Sequence, residues 1–276
     1  MKSIILLLVL ILASFAQAGI TWSGDVIPDD PTLWTSATEA YVGKSSSTGA
    51  TLTINGGSDV VSGLTNIARY YISNASADVD GVGSTWTTGD FFIGSNGYGR
   101  LNITAGGAVS SINGDIGHVG SGPTRVSTVT VDGQGSTWAN SGNLMVGYGG
   151  NSILNISNGG LVSVGGVLTI DYNQHGDDNF VRIASGGMLA LHDSDWAAGD
   201  DLGDFLALVA STGPIQYWDG SDWANITDAI YGADYTLAHE TVGDLADYTI
   251  LTVPEPASLT LLTLSGLAVL KRRRKR

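Results

Sequence analysis

The octad VDGVGSTW at residues 79–86 returns at 131–138 as VDGQGSTW, one substitution apart across a spacing of 52. A second block follows each copy: IGSNGYGRLNITAGGAVS from Ile93 and VGYGGNSILNISNGGLVS from Val146. In both, the first Gly precedes the Leu by seven residues and the Gly-Gly pair by twelve. Weaker copies, TLTINGGSDVVS at 51–62 and VRIASGGMLAL at 181–191, share the apolar alternation that runs into Gly-Gly. Superimposing the central apolar residues puts Ile54, Val79, Ile103, Val131, Ile156 and Ile183 in one column, with steps of 25, 24, 28, 25 and 27. The unit is therefore a coil of about 26 residues, and the evident 52-residue repeat is two of them. A unit that short cannot cover its own apolar face and has to lean on its neighbours.

Each coil holds short β-type runs such as Leu101-Asn102-Ile103 and Val129-Thr130-Val131, set between Gly, Asn and Ser. Alternation buries one side of a strand, and Gly supplies the corner conformations that other residues resist. Helical periodicity is lacking over this stretch. The expected fold is all-β: a right-handed parallel β-helix of about six coils with a small C-terminal cap, a rod roughly 30 Å long at ~4.8 Å per coil. An antiparallel β-sandwich also has recurrent strands and Gly-rich turns. It does not account for the regular spacing.

The two ends differ from this body. Met1-Lys2-Ser3, then IILLLVLILASF, then Ala16-Gln17-Ala18 has the charged, apolar and small-residue parts of a secretory signal peptide cleaved after Ala18. The expected organisation is a signal peptide at 1–18, a β-helical repeat domain at 19–190, an acidic, aromatic-rich cap at 191–252 and a terminal segment at 253–276. Cysteine is absent, so packing and not disulfides must stabilise the exported chain. Between residues 19 and 253 there are 25 acidic residues against Lys44, Arg69, Arg100, Arg125 and Arg182. A body so charged repels nucleic acid and anionic lipid.

At the C-terminus, the 14 uncharged residues Ala257–Leu270 precede Lys271, Arg272, Arg273, Arg274, Lys275 and Arg276. That apolar run is short beside the ~20 residues of a comfortable membrane helix. The basic tail suits the cytoplasmic side and makes a stop-transfer signal. Val253-Pro254-Glu255-Pro256-Ala257-Ser258, followed by the apolar run and the basic terminus, closely resembles a PEP-CTERM sorting signal. The resemblance implies an exosortase-type membrane protease as partner, transient tethering at the membrane, and delivery to the cell envelope, cell surface or extracellular matrix. Pro254 and Pro256 keep the junction extended and open to a protease.

The repeat blocks, with their GSTW, VG and LNIxxGGxV wording, look like autotransporter-associated, passenger-type β-repeats. That resemblance implies an extracellular β-helical stalk and no particular ligand. Beyond Leu191 the Gly-Gly pattern stops. DDLGDFLALVAS at 200–211 predicts one short helix with Leu202, Phe205, Leu206 and Val209 on one side, and IQYWDGSDWANIT predicts a hairpin at Asp219-Gly220. Residues 171–247 contain fifteen acids and one basic residue. Asp193, Asp195, Asp200 and Asp201 are calcium candidates, although they lack the order and closing Glu of an EF-hand loop. A solvated acidic surface is the plainer reading of them.

No catalytic motif is legible. His118, His175, His192 and His239 are scattered, none in a zinc-ligand pattern, and nucleophile elbows and phosphate-cradling loops are missing. The expectation is a non-catalytic structural or adhesive surface protein that needs no cofactor and meets extracellular polysaccharide or neighbouring surface proteins. The alternative is a carbohydrate-active or carbohydrate-binding β-helix with acids from 171 to 204 in a groove. Trp86 and Trp138 would then be sugar platforms, whereas a repeated buried corner is the plainer reading. Ice binding is a remote third reading, because some ice-binding proteins carry a C-terminal motif of this kind. It calls for aligned Thr rows, and Thr53/Asn55, Asn102/Thr104, Thr130/Asp132, Asn155/Ser157 and Arg182/Ala184 are too irregular.

Overall fold

A computed structural model describes residues 19–45, 48–71, 73–118, 126–172, 178–197, 200–210 and 214–255. The chain is all-β and forms a β-solenoid of about five turns. Each turn visits three sheets in a constant order: a short face, a long face and a face that carries the GSTW tryptophans. In one turn these strands are Asp90–Ile93, Tyr98–Thr104 and Ala108–Ser111. The column inferred from the repeats is the register of the long face. Ile54 pairs with Val79, Val79 with Ile103, Ile103 with Val131, Val131 with Ile156 and Ile156 with Ile183, all in parallel. Each is 0–1 % exposed in one shared interior, which excludes the sandwich. Uneven repeat lengths do no harm, because the corner from short to long face absorbs them. It runs from Ile93 to Tyr98 in one turn and from Ile116 to Val126 in the next.

The opposite corner explains the Gly-Gly signature. Gly106 has φ of +89°, a left-handed conformation that turns the chain out of the long face. Gly107 is needed for a different reason: a Cβ there would lie 2.3 Å from the Val79 carbonyl oxygen of the turn below. The GSTW corners are pinned by their serine. Ser84 Oγ donates to the Asp80 carbonyl at 2.7 Å and accepts the Gly57 N–H at 3.1 Å, and Ser136 repeats this with Asp132 and Gly106 at 2.7 and 3.0 Å. One side chain thus satisfies a corner carbonyl and ties two turns together.

Inside, the 52-residue period is an alternation of volumes. Along the tryptophan face the inward column runs Trp86, Val109, Trp138, Val162, and along the short face it runs Thr65, Phe91, Gly114, Leu144. Large residues on one face meet small ones on the other in the same turn, so the rings interleave. Trp86 and Phe91 have centroids 5.0 Å apart, and Phe91 meets Trp138 edge-on at 6.4 Å. Gly114 has no Cβ because one would sit 2.7 Å from the Trp138 ring and 2.8 Å from Leu144. Each indole N–H finds a serine of the preceding turn, Trp86 donating to Ser62 Oγ at 3.0 Å and Trp138 to Ser111 Oγ at 3.1 Å.

Both ends are closed by strands of opposite direction or by short elements, which covers edges that would otherwise template aggregation. Within the span expected to be repeat from residue 19, the first strand, Gly19–Ser23, runs antiparallel to Thr48–Asn55 and is not a coil. Val26–Ile27 pairs antiparallel with Glu39–Val42, and the buried Trp34 packs toward Trp86 at 6.4 Å. At the far end the predicted helix spans Leu202–Ala207. Asp201 caps it and Phe205 is buried, while Val209 has left the helix for a strand on the short face. The predicted hairpin closes the long face, with Ile215–Trp218 antiparallel to Trp223–Asn225.

An aromatic ladder runs along the corner after the short face. Phe92 meets His118 edge-on, and His118, Tyr148 and Tyr172 stack with successive centroids 5.0 Å apart, close to the ~4.8 Å strand spacing. Tyr148 is stacked on both sides, and the ladder ties successive turns together at this corner. The Asp115 carboxylate, 2.5 Å from His118 Nδ1, raises the histidine above its usual range. A raised histidine stabilises the fold below its unfolded value of about 6.5 and loses that contribution as pH climbs through the folded value. Asp115→Asn should therefore cost more at about pH 5 than at about pH 8. Because the His118 side chain is 39 % exposed, the difference should be only about 0.5 kcal/mol, read from urea unfolding at both pH values.

Candidate functional site

The last strand of the body, Tyr248–Thr252, lies antiparallel between Met188–His192 of the final turn and Thr236–Glu240 on its outer side. Covered on both sides, it buries three consecutive residues, Thr249, Ile250 and Leu251. Pairing continues one residue further. The Val253 N–H donates to the Gly187 carbonyl at 3.2 Å, its carbonyl accepts the Gly186 N–H at 2.6 Å, and its side chain is 3 % exposed within the core. Pro254 has no N–H and ends the ladder. Glu255 is then exposed, with its side chain over Gly186. The folded body thus passes into the terminal segment without a linker.

Residues 252–275 match the PEP-CTERM protein-sorting motif. The motif implies processing by an exosortase-type enzyme and export to the cell envelope or surface. No curated protein and no solved structure matches the chain. Among the expected sorting residues, Val253, Pro254 and Glu255 are placed as above, while Pro256, Ala257, Ser258 and the basic residues Lys271 to Arg276 lie outside the described residues. The signal-peptide residues Ala16 and Ala18 lie outside them as well. Among the described residues no helix is long and apolar enough to cross a membrane; the apolar run 257–270 is not among them.

The calcium candidates do not assemble. Among the described residues no three His, Asp or Glu side chains gather where they could hold a metal ion. Asp193 is 8 % exposed and accepts the Thr249 hydroxyl at 3.0 Å. Asp200 accepts the Ala197 N–H at 2.8 Å, Asp201 caps the helix through the Gly203 N–H at 2.7 Å, and Asp195 is exposed beside Ser194. Local backbone thus engages two of these carboxylates and a buried hydroxyl a third, a use that spacing along the chain does not reveal.

Trp86 and Trp138 are fully buried in the core, as the repeated-corner reading expects. The column proposed for ordered hydroxyl rows runs Thr53, Asp78, Asn102, Thr130, Asn155, Arg182 along the long face, and its mixture persists in register. Several acids there are engaged by the next turn: Asn102 donates to Asp78 at 2.7 Å, Thr104 to Asp80 at 2.6 Å and Ser157 to Asp132 at 2.6 Å. Sequence reasoning missed a buried polar chain in the cap. Thr249 bridges Asp193 and His239, whose Nδ1 is 3.1 Å from the Thr249 hydroxyl oxygen. No linear pattern announces it, because its three members come from separate strands and turns.

Proposed function

We propose that this protein is a non-catalytic structural or adhesive rod, processed by an exosortase-type enzyme and displayed on the envelope or in the exopolysaccharide matrix. The sorting motif at 252–275 carries this reading. It is supported by the way the motif leaves the last turn, because a solenoid attached there projects along its whole length from the attachment site. The likeness of the GSTW and Gly-Gly blocks to passenger-type surface repeats points the same way, as does an interior filled by interlocking side chains.

The test is fractionation of the native host expressing either the full chain or a chain ending at Glu255. The full chain should be found in the envelope or matrix fraction, with its mature C-terminus near Pro256 by mass spectrometry. At least nine-tenths of the shortened chain should pass into the medium, an order-of-magnitude expectation for losing the C-terminal sorting segment. Equal distribution of the two chains would refute sorting through this segment. Turnover of a polysaccharide by the purified protein, lost on a single Asp→Asn change, would refute the non-catalytic role.

A further inference from the structure

The cap holds a partly open cavity of about 330 Å³ that the sorting function does not use. Trp196, Tyr231 and Tyr235 supply its aromatic walls, Leu202 and Leu237 complete the apolar part, and the carboxylates in it are Asp200 and Asp201. None of the lining residues is basic.

The walls are held in place. Tyr231 and Tyr235 meet at 71° with centroids 5.5 Å apart, and the Gly232 N–H bonds the Tyr235 carbonyl across the turn between them. Trp196 is backed by the His239 ring, 5.2 Å away and within 4° of parallel, and His239 is fixed in turn by the Thr249–Asp193 pair. Tyr235 is 7 % exposed. Burial, and after it the charge of Asp201, raise the Tyr235 phenol, so that carboxylate and the ring act on the same space.

Aromatic faces present negative charge density, and rings set at right angles with carboxylates beside them surround a cation on several sides. Leu202 and Leu237 disfavour a hydrated metal ion, and two carboxylates fall short of the six to eight oxygens calcium takes. An organic cation meets every wall with something it prefers: methylene or methyl groups against the rings and leucines, positive charge against the carboxylates. We propose that this cavity binds an alkylammonium group. A glucosamine unit of a partly deacetylated polysaccharide, a choline-type headgroup and a polyamine all carry that chemistry.

The full-length protein titrated by calorimetry with a glucosamine tetramer, its fully N-acetylated counterpart, choline and spermidine tests this. At least one cationic probe should bind at least about tenfold more tightly than the acetylated tetramer, and the tightest of them names the source of the group. Tyr231→Ala, at a residue 65 % exposed, and Asp200→Asn should each weaken that probe about three- to tenfold with an unchanged melting temperature. Asp219→Asn, elsewhere in the cap, should leave it unaltered. Failure of every cationic probe to bind more tightly than the acetylated tetramer would overturn the proposal. So would equal weakening by Asp219→Asn, which would reduce the effect to overall negative charge, or no weakening by Tyr231→Ala.

Discussion

Trp138→Ala is expected to lower the unfolding free energy by about 3–5 kcal/mol, as large-to-small changes at fully packed aromatic sites do. Trp138 is 0 % exposed, it fills the space left by Gly114, and its indole N–H satisfies Ser111. Losing the ring opens a cavity between turns and leaves the Ser111 and Asn140 pair short of a donor. The converse change, Gly114→Val, forces a Cβ to 2.7 Å from the Trp138 ring and should cost about 2–3 kcal/mol through overpacking. The two sites exchange volume with each other, so the costs should not add. Gly114→Val with Trp138→Ala together should fall at least about 1 kcal/mol short of the sum of the single changes. Urea unfolding of the four proteins in that cycle measures the coupling, and additivity would show that the alternation of volumes is incidental.

Val253→Asp should free the final strand. The side chain is 3 % exposed in a wholly apolar setting, so a carboxylate there faces a desolvation cost of several kcal/mol with no partner. A terminal strand can escape that cost by detaching, because local opening is cheaper than global unfolding. Hydrogen exchange should therefore speed up at least about a hundredfold at Gly186, whose N–H bonds the Val253 carbonyl, and at Leu251. Ile103 and Val131, deep in the stack, should keep their protection. The released strand should also become a protease substrate, moving the mature C-terminus upstream of Pro254 in a fraction of the molecules. Unchanged exchange at Gly186 would mean that the sorting segment is not seated on the last turn.

The stack was legible in the chain because a parallel solenoid writes its register into its repeats. Placing Ile103 above Val79 requires only that each is the central apolar residue of an alternating run that ends in a glycine corner, and pairing obeys that order. The corner glycines were legible for the same reason, since a turn that must bend identically each time keeps the same residues. The uneven steps of 24 to 28 gave no false register, because loop length at one corner does not propagate into strands that are locked by burial.

The calcium candidates and the tryptophans show the limit. Asp193, Asp200 and Asp201 crowd together along the chain, yet one is used by a buried threonine and two by backbone N–H groups. Carboxylates are recruited by whatever donor lies nearest in space, and proximity in sequence does not report that.

The order of residues by itself determined the fold class, the repeat register, the hairpin at Asp219-Gly220 and the sorting motif, because each depends on local pattern or on a linear address. The tertiary structure alone decided that Gly114 must yield its space to Trp138, that Gly19–Ser23 closes the first turn, and that Val253 is both the start of the sorting segment and part of the core. It also brought Trp196, Tyr231 and Tyr235 around one cavity. The physical reason is the same in each case: volume, edge protection and charge are shared between turns that meet only after the chain has wound upon itself, so no single segment carries the information.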